Sequence, residues 1–400
     1  MGLEVAPHKT EALYFYNKAM GRPSPIQMWV GEVRVLVGTQ MKYLGLILDR
    51  LWGFEQHFVQ IIPKADRMAV ALSRLLPNVG GPNVRVRRLY ANVVQSVSLY
   101  GAPVWADKVL VSRRIQAMIH RQQRRLASRI IRSYCTTSFV AGLLPVEFLA
   151  NLYAEVYRRT RDPDRTGSAR LRPGAVEKIR KNARRRAISQ WQEAIADSAT
   201  GRRTTHAIQP CLPEWVDRRG RGLEFHLTQV LTGHGCFGDY LCRIGREHTT
   251  GCHHCAAGRD SAQHTLTEYE AWTEERRDLT AVVGEDLSLP ALIQAMLEGE
   301  NKWKAASDFC GAVMLQKEET ERIRRGEAEE VDSTPPSSPP PPPLCREEWE
   351  ATAAGVLPRP QRGGGGDNSP SPYTSPTQGL MRVGVSQKVV RKLATTTITI

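Results

Sequence analysis

The sequence predicts a mainly α protein with a small β-hairpin near its N-terminal end, a small α-rich cysteine/histidine region and a disordered C-terminal tail. Three observations lead there. Apolar residues recur at helical spacing from Phe54 onward, the first 50 or so residues alternate instead, and beyond about residue 326 proline, glycine and serine take over. In order, the expected segments are residues 1–52 (strands), 53–135 (helical), 136–220 (a basic helical linker), 221–325 (the cysteine/histidine region with C-terminal helices) and 326–400 (the tail).

In the first segment Val30 to Val35 alternates, Lys42 to Asp49 is a second short apolar run, and Gly38 lies in the connection. Two such runs joined through a glycine suggest a hairpin. Phe58, Ile61, Ile62, Ala65, Met68, Ala69 and Leu72 then mark a helix, and Pro77-Asn78 with Gly80-Gly81-Pro82 breaks it. A second helix is expected over 84–100, ended by Gly101 and Pro103. A third, about Ser112 to Tyr134, places Ile115, Ile119, Leu126 and Ile130 in one arc and Arg114, Arg121, Arg125 and Arg132 in another. Helices follow over 139–160 and 174–197, and a long one over 281–316 runs into a charged end from Lys317 to Glu330. Trp191, Trp215, Phe225, Phe237, Tyr240 and Trp272 suggest a second small core across 187–320.

The chain of 400 residues carries a formal charge of +14, and the excess is concentrated: seven arginines and no acid lie between Arg113 and Arg132. Such a surface attracts phosphate through Coulomb steering and counterion release. Arginine throughout favours forked phosphate contacts over simple solubility, although a solvated helix face would have the same composition. The N-terminal end shows no charged-then-apolar leader, and no apolar run reaches the ~18 residues of a membrane span. The expectation is a protein of the nucleus or cytoplasm, not secreted, with no membrane partner and with free or metal-bound thiols.

Cys252-His253-His254-Cys255 followed by His264 is the sharpest chemical signal, C-x2-C-x8-H. Two thiolates on a tight turn and one imidazole can clasp a zinc ion, and a closed structural site needs a fourth ligand. Tyr269 is a poor one, because phenols titrate near pH 10. His253 or His254 could substitute, Cys236 or Cys242 could reach in, or the site could be weakened or dead; the plainer reading is a pair of thiols buried in a small core beside Trp272. The chain holds no Asp-Asp dipeptide, no phosphate-cradling G-x-x-x-x-G-K-[ST] loop and no G-x-S-x-G elbow, so no catalytic group can be argued from it.

Several stretches, taken in order, closely resemble the C-terminal part of the Pol (ORF2) polyprotein of R1-like, arthropod-type non-LTR retrotransposons, which is a reverse transcriptase. They are Gly2-Leu3 with Lys9-Thr10-Glu11, Lys42-Tyr43-Leu44-Gly45 through Asp49, Arg88-Leu89-Tyr90, Leu99 to Trp105, and Leu231-Thr-Gly-His-Gly-Cys-Phe237 with Tyr240-Leu241. The Cys252, Cys255 and His264 spacing, Trp272 and Arg276 continue the match, which covers roughly 1–325. The resemblance implies that residues 1–52 are the end of a palm, with Tyr43, Leu44 and Gly45 in a primer-grip hairpin. It further implies that the helices to 135 are a thumb following an RNA, RNA–DNA hybrid or DNA backbone, and that 250–272 is a zinc knuckle. Mg2+ would serve only the full-length RNA-directed DNA polymerase. Two departures count: the paired palm aspartates are absent from this sequence, and Tyr269 stands where the knuckle has its last cysteine. The expectation is a fragment that binds nucleic acid and is not catalytic alone. A competing expectation is a domesticated scaffold whose Pro339–Pro343 run recruits readers of proline-rich motifs.

Overall fold

The computed structural model describes residues 9–17, 19, 21, 24, 26–77, 81–132, 138–161, 171–196, 201–218, 220–255, 257–267 and 271–326. All of these lie in one unit, Met1–Ser333; the expected tail, the Pro-rich run and Tyr269 lie outside the described residues. The protein is mainly helical, with small sheets at its N-terminal end.

Five short strands come first: β1 (Ala12–Leu13), β2 (Gln27–Val30), β3 (Val33–Gly38), β4 (Gln40–Tyr43) and β5 (Leu46–Asp49). The single hairpin expected from Val30–Val35 and Lys42–Asp49 is replaced by two. β2 pairs antiparallel with β3, β4 with β5, and β1 joins β3 in parallel. The reason is local: Gly31 takes φ +60°, so the Val30–Val35 run folds on itself. Leu44 and Gly45 both take positive φ, 45° and 83°, the two-residue turn that matches strand twist. Leu46, Ile47 and Leu48 of β5 are all buried, so this strand is covered on both faces.

Helix α1 (Glu55–Ser73) begins where the Asp49 carboxylate accepts the Phe54 N–H at 2.6 Å and the Gly53 N–H at 3.0 Å. Asp49 thus closes the strand-to-helix corner. Helix α2 (Val84–Ser98) is capped by Asn83, whose Oδ1 accepts from the N–H groups of Arg85 and Val86. Gly101 and Pro103 do end it, and they also start α3 (Ala102–Val109), which the sequence pattern does not reveal. A proline in the first turn loses no intrahelical bond, so the pair that stops one helix initiates the next. Helix α4 (Arg113–Ile131) buries Ile115, Ile119, Leu126 and Ile130 as the 100° spacing predicts.

Next come α5 (Ser138–Ala141), α6 (Val146–Arg161), α7 (Pro173–Ala196), α8 (Arg202–Ile208), α9 (Leu212–Asp217), α10 (Phe225–Thr232), α11 (Gly238–Arg243) and α12 (Ala262–Thr267). The long helix expected over 281–316 is instead three: α13 (Thr273–Val283), α14 (Leu289–Glu298) and α15 (Glu300–Arg324). Gly284, at φ +106°, and Gly299 make the breaks. The second small core is also corrected. Trp191, Trp215, Phe237 and Trp272 share one continuous core with Leu126 and Ile130 of α4 and with Trp303 and Met314 of α15. No helix among the described residues is long and apolar enough to cross a membrane.

Candidate metal centre and basic surfaces

The loop between α11 and α12 is folded by its own main chain. The Asp260 N–H donates to the Thr250 carbonyl at 2.7 Å and the Cys252 N–H to the Ala257 carbonyl at 2.9 Å. The His254 N–H points at Cys252 Sγ, 3.4 Å away. Ser261 Oγ accepts the His264 N–H at 3.0 Å, which starts α12 and turns the imidazole back towards the loop. The sequence-predicted ligands Cys252, Cys255 and His264 therefore converge, with ligand atoms all within 4.8 Å of one another and Cys255 Sγ 3.4 Å from His264 Nε2.

This spacing fits a metal ion. An ion about 2.3 Å from sulfur and about 2.0 Å from imidazole holds tetrahedral ligands roughly 3.5–3.8 Å apart. Desolvation first, and then the adjacent Cys252, push the Cys255 thiol above its ordinary value, while a backbone hydrogen bond from Ala257 opposes them. A divalent cation reverses that balance by coordinating the thiolate.

Among the described residues no fourth Cys, His, Asp or Glu joins the group. The substitutes that the sequence offers are engaged elsewhere. Cys236 Sγ donates to Glu321 Oε2 at 2.8 Å, and burial with that bond pushes its thiol up. His253 Nε2 accepts from Arg324 at 2.7 Å, and His254 packs on Trp272 with ring centroids 5.3 Å apart. Cys242 on α11 stays outside the group.

Behind the loop lies a feature that sequence reasoning missed. Lys317, the first residue of the expected charged helix end, is buried: its Nζ meets both Asp260 oxygens at 2.6 and 2.7 Å, with the two side chains 2% and 5% exposed. The same carboxylate accepts the Gly238 N–H, and the Asp260 carbonyl accepts the Asp239 N–H. Asp260 therefore ties the loop to α11 and α15 at once. Gly238 has to be glycine here, because a Cβ would lie 2.6 Å from the Thr250 carbonyl. The Lys317 ammonium also sits 5.2 Å from the Phe237 ring and 5.5 Å from Trp272.

Two of the motifs that carry the resemblance meet at the Tyr43-Leu44-Gly45 turn. The Tyr100 hydroxyl donates to the Leu44 carbonyl at 2.7 Å, and a Cβ on Gly45 would lie 3.0 Å from the Tyr100 ring. Gly101, at φ +69°, packs directly on Leu46. Leu44 itself is exposed at the tip.

The α4 arginines are less uniform than their arc. Arg114 pairs with Glu55 at 3.3 Å and Arg125 with Asp66 at 2.8 Å, both acids on α1. Arg121 is exposed. Arg132 ends the helix at φ +58° and donates to the Pro82 carbonyl, turned towards α2 instead of lying along the ridge. Elsewhere arginines act inside the fold. Arg87 donates to the carbonyls of Pro77, Pro82 and Arg129, Arg203 to those of Val230 and Leu231, and Arg221 to those of Met296 and Leu297. The Arg129, Val230, Leu231, Met296 and Leu297 carbonyls lie in the last turns of their helices, where a cation also answers the negative dipole, whereas those of Pro77 and Pro82 lie between α1 and α2. Burial lowers Arg87 and Arg203 to about 10 and Arg218 well below its ordinary value. These arginines hold the fold together and do not form a cationic surface.

The fold and the loop define a mainly helical protein with a Cys-Cys-His cluster of metal-binding type. No family model matches the chain, and no solved structure does. Curated proteins do: it is 26% identical over 294 residues, 69% of this chain, to the putative 115 kDa protein in type-1 retrotransposable element R1DM of Drosophila melanogaster. Over 305 residues, 74% of this chain, it is 23% identical to the retrovirus-related Pol polyprotein from type-1 retrotransposable element R1 4 of Nasonia vitripennis. A corresponding Bradysia coprophila R1 polyprotein is 25% identical over 252 residues. The chain is a distant homologue of the Pol polyproteins of insect R1 non-LTR retrotransposons. It spans 28% of the Drosophila protein's length and 77% of the Nasonia one's.

Proposed function

We propose that this chain is a nucleic-acid-binding part of a retrotransposon Pol polyprotein, holding RNA, DNA or their hybrid by the phosphate backbone without polymerising nucleotides itself. The observation that carries the reading is the convergence of Cys252, Cys255 and His264 in a chain related to the R1 proteins. Zinc is the metal these donors suit, since two thiolates and an imidazole match its preference, and its role here is to hold the loop closed. The hairpin tip at Leu44, braced by Tyr100, is the surface that a primer end would meet. Polymerisation needs clustered carboxylates for two divalent metals, and the sequence has no adjacent pair of aspartates.

The test uses the purified full chain with a labelled RNA–DNA hybrid and, separately, a primed RNA template with nucleotides and Mg2+. A shifted hybrid without primer extension is the expected result. Extension by the chain itself, or no shift even in dilute buffer, would refute the proposal.

A further inference from the structure

An outward-facing cationic row lies on α7, outside the arc that the α4 pattern points to. Between Pro173 and Arg186 there are six basic residues and one acid, Glu177. Ala183, Ala187, Ile188 and Trp191 are buried and fix which side of α7 faces the core. At 100° per residue, Lys178, Lys181 and Arg185 fall within an arc of about 60° whose centre lies about 120° round from the centre of that side. All three are exposed, and none forms an ion pair with another of the described residues. The flanks are held differently. Arg184 pairs with Asp217 of α9 at 2.6 Å, and Arg186 pairs with Glu155 of α6. These two bridges flank the row, one on each side, and leave Lys178, Lys181 and Arg185 directed to solvent.

We propose that Lys178, Lys181 and Arg185 form a phosphate-binding row that docks along one strand of an RNA–DNA hybrid duplex. This deepens the proposed nucleic-acid function and rests on it. The row is charge-complementary and of the right length. Seven residues of helix rise about 10.5 Å, so the three cations extend over neighbouring phosphates of one strand. A straight helix presents such a row to a duplex strand, whose phosphates are regularly spaced. On α4, by contrast, Glu55 and Asp66 already neutralise two arginines of the arc.

The experiment measures hybrid-duplex affinity as a function of salt for three full-length proteins: wild type, K178Q/K181Q/R185Q, and R114Q/R121Q/R125Q. Circular dichroism confirms that the helices are intact, which the solvent position of all six side chains favours. The α7 variant is expected to flatten the log–log salt slope by about 2–3 units, about 0.9 for each phosphate that is no longer neutralised, and the α4 variant by less. If wild type binds and the α7 variant keeps its full slope, the row is refuted while the proposed function survives. If wild type does not bind at all, the functional reading fails and the row fails with it.

Discussion

Replacing Lys317 with methionine perturbs the candidate metal loop without touching a metal ligand. Lys317 meets both carboxylate oxygens of Asp260 with almost no solvent exposure. Removing one partner of a buried pair strands the other charge, which costs about 3–5 kcal/mol. Among the described residues the stranded Asp260 carboxylate keeps the Gly238 N–H as its one remaining donor, too little to offset that cost. The neutral double variant D260N/K317M should recover most of the loss, ending within about 1–2 kcal/mol of wild type, because no unpaired charge remains. Urea unfolding followed by tryptophan fluorescence reads both, since Trp272 lies beside the pair. Asp260 also joins the loop to α11 and α15, so K317M should weaken zinc binding in competition with a chromophoric chelator. A single variant as stable as wild type, or a double variant less stable than K317M, would refute the reasoning.

Further expectations rest on individual side chains. Asn83→Ala removes the acceptor for two N–H groups at the start of α2 and should cost about 1 kcal/mol by chemical denaturation. Gly238→Ala forces a Cβ against the Thr250 carbonyl and should lower both zinc retention and thermal stability. Burial holds His57, whose Nδ1 accepts the Ile47 N–H, at a pKa of about 4 against an ordinary 6.5. The unfolded chain therefore takes up that proton first, so the contribution is complete above pH 6.5 and is lost as pH falls towards about 4. His57→Gln should flatten the pH dependence of stability in that window. Cys255→Ser should abolish stoichiometric zinc by elemental analysis, and wild-type zinc affinity should fall with pH as thiols and imidazole compete for protons.

What the sequence makes legible is local. The apolar arc of α4, the C-x2-C-x8-H spacing and the strand end at Asp49 all lie within a few turns of chain, where periodicity and spacing carry the information. What it hides depends on distant partners. Lys317 and Asp260 are 57 residues apart, and nothing around Lys317 distinguishes a buried ammonium from a solvated one. The arginines mislead for the same reason. Arg87 and Arg203 read as cationic surface until the carbonyls they cap come into view. Tyr100 and Gly101 look like a helix stop, yet their neighbours show them to be the seat of the Leu44-Gly45 turn. The interruptions of the C-terminal helices do carry a local mark, since Gly284 and Gly299 stand at the two breaks, but apolar periodicity alone runs straight through them.

The most direct measurement is the equilibrium affinity of the full chain for an RNA–DNA hybrid between about 50 and 200 mM salt. With three or more neutralised phosphates, binding should weaken by about fortyfold or more across that range, following a slope of about −0.9 for each one. Affinity that stays constant over the same range would contradict the account, because a backbone-holding surface cannot be indifferent to the ions it displaces.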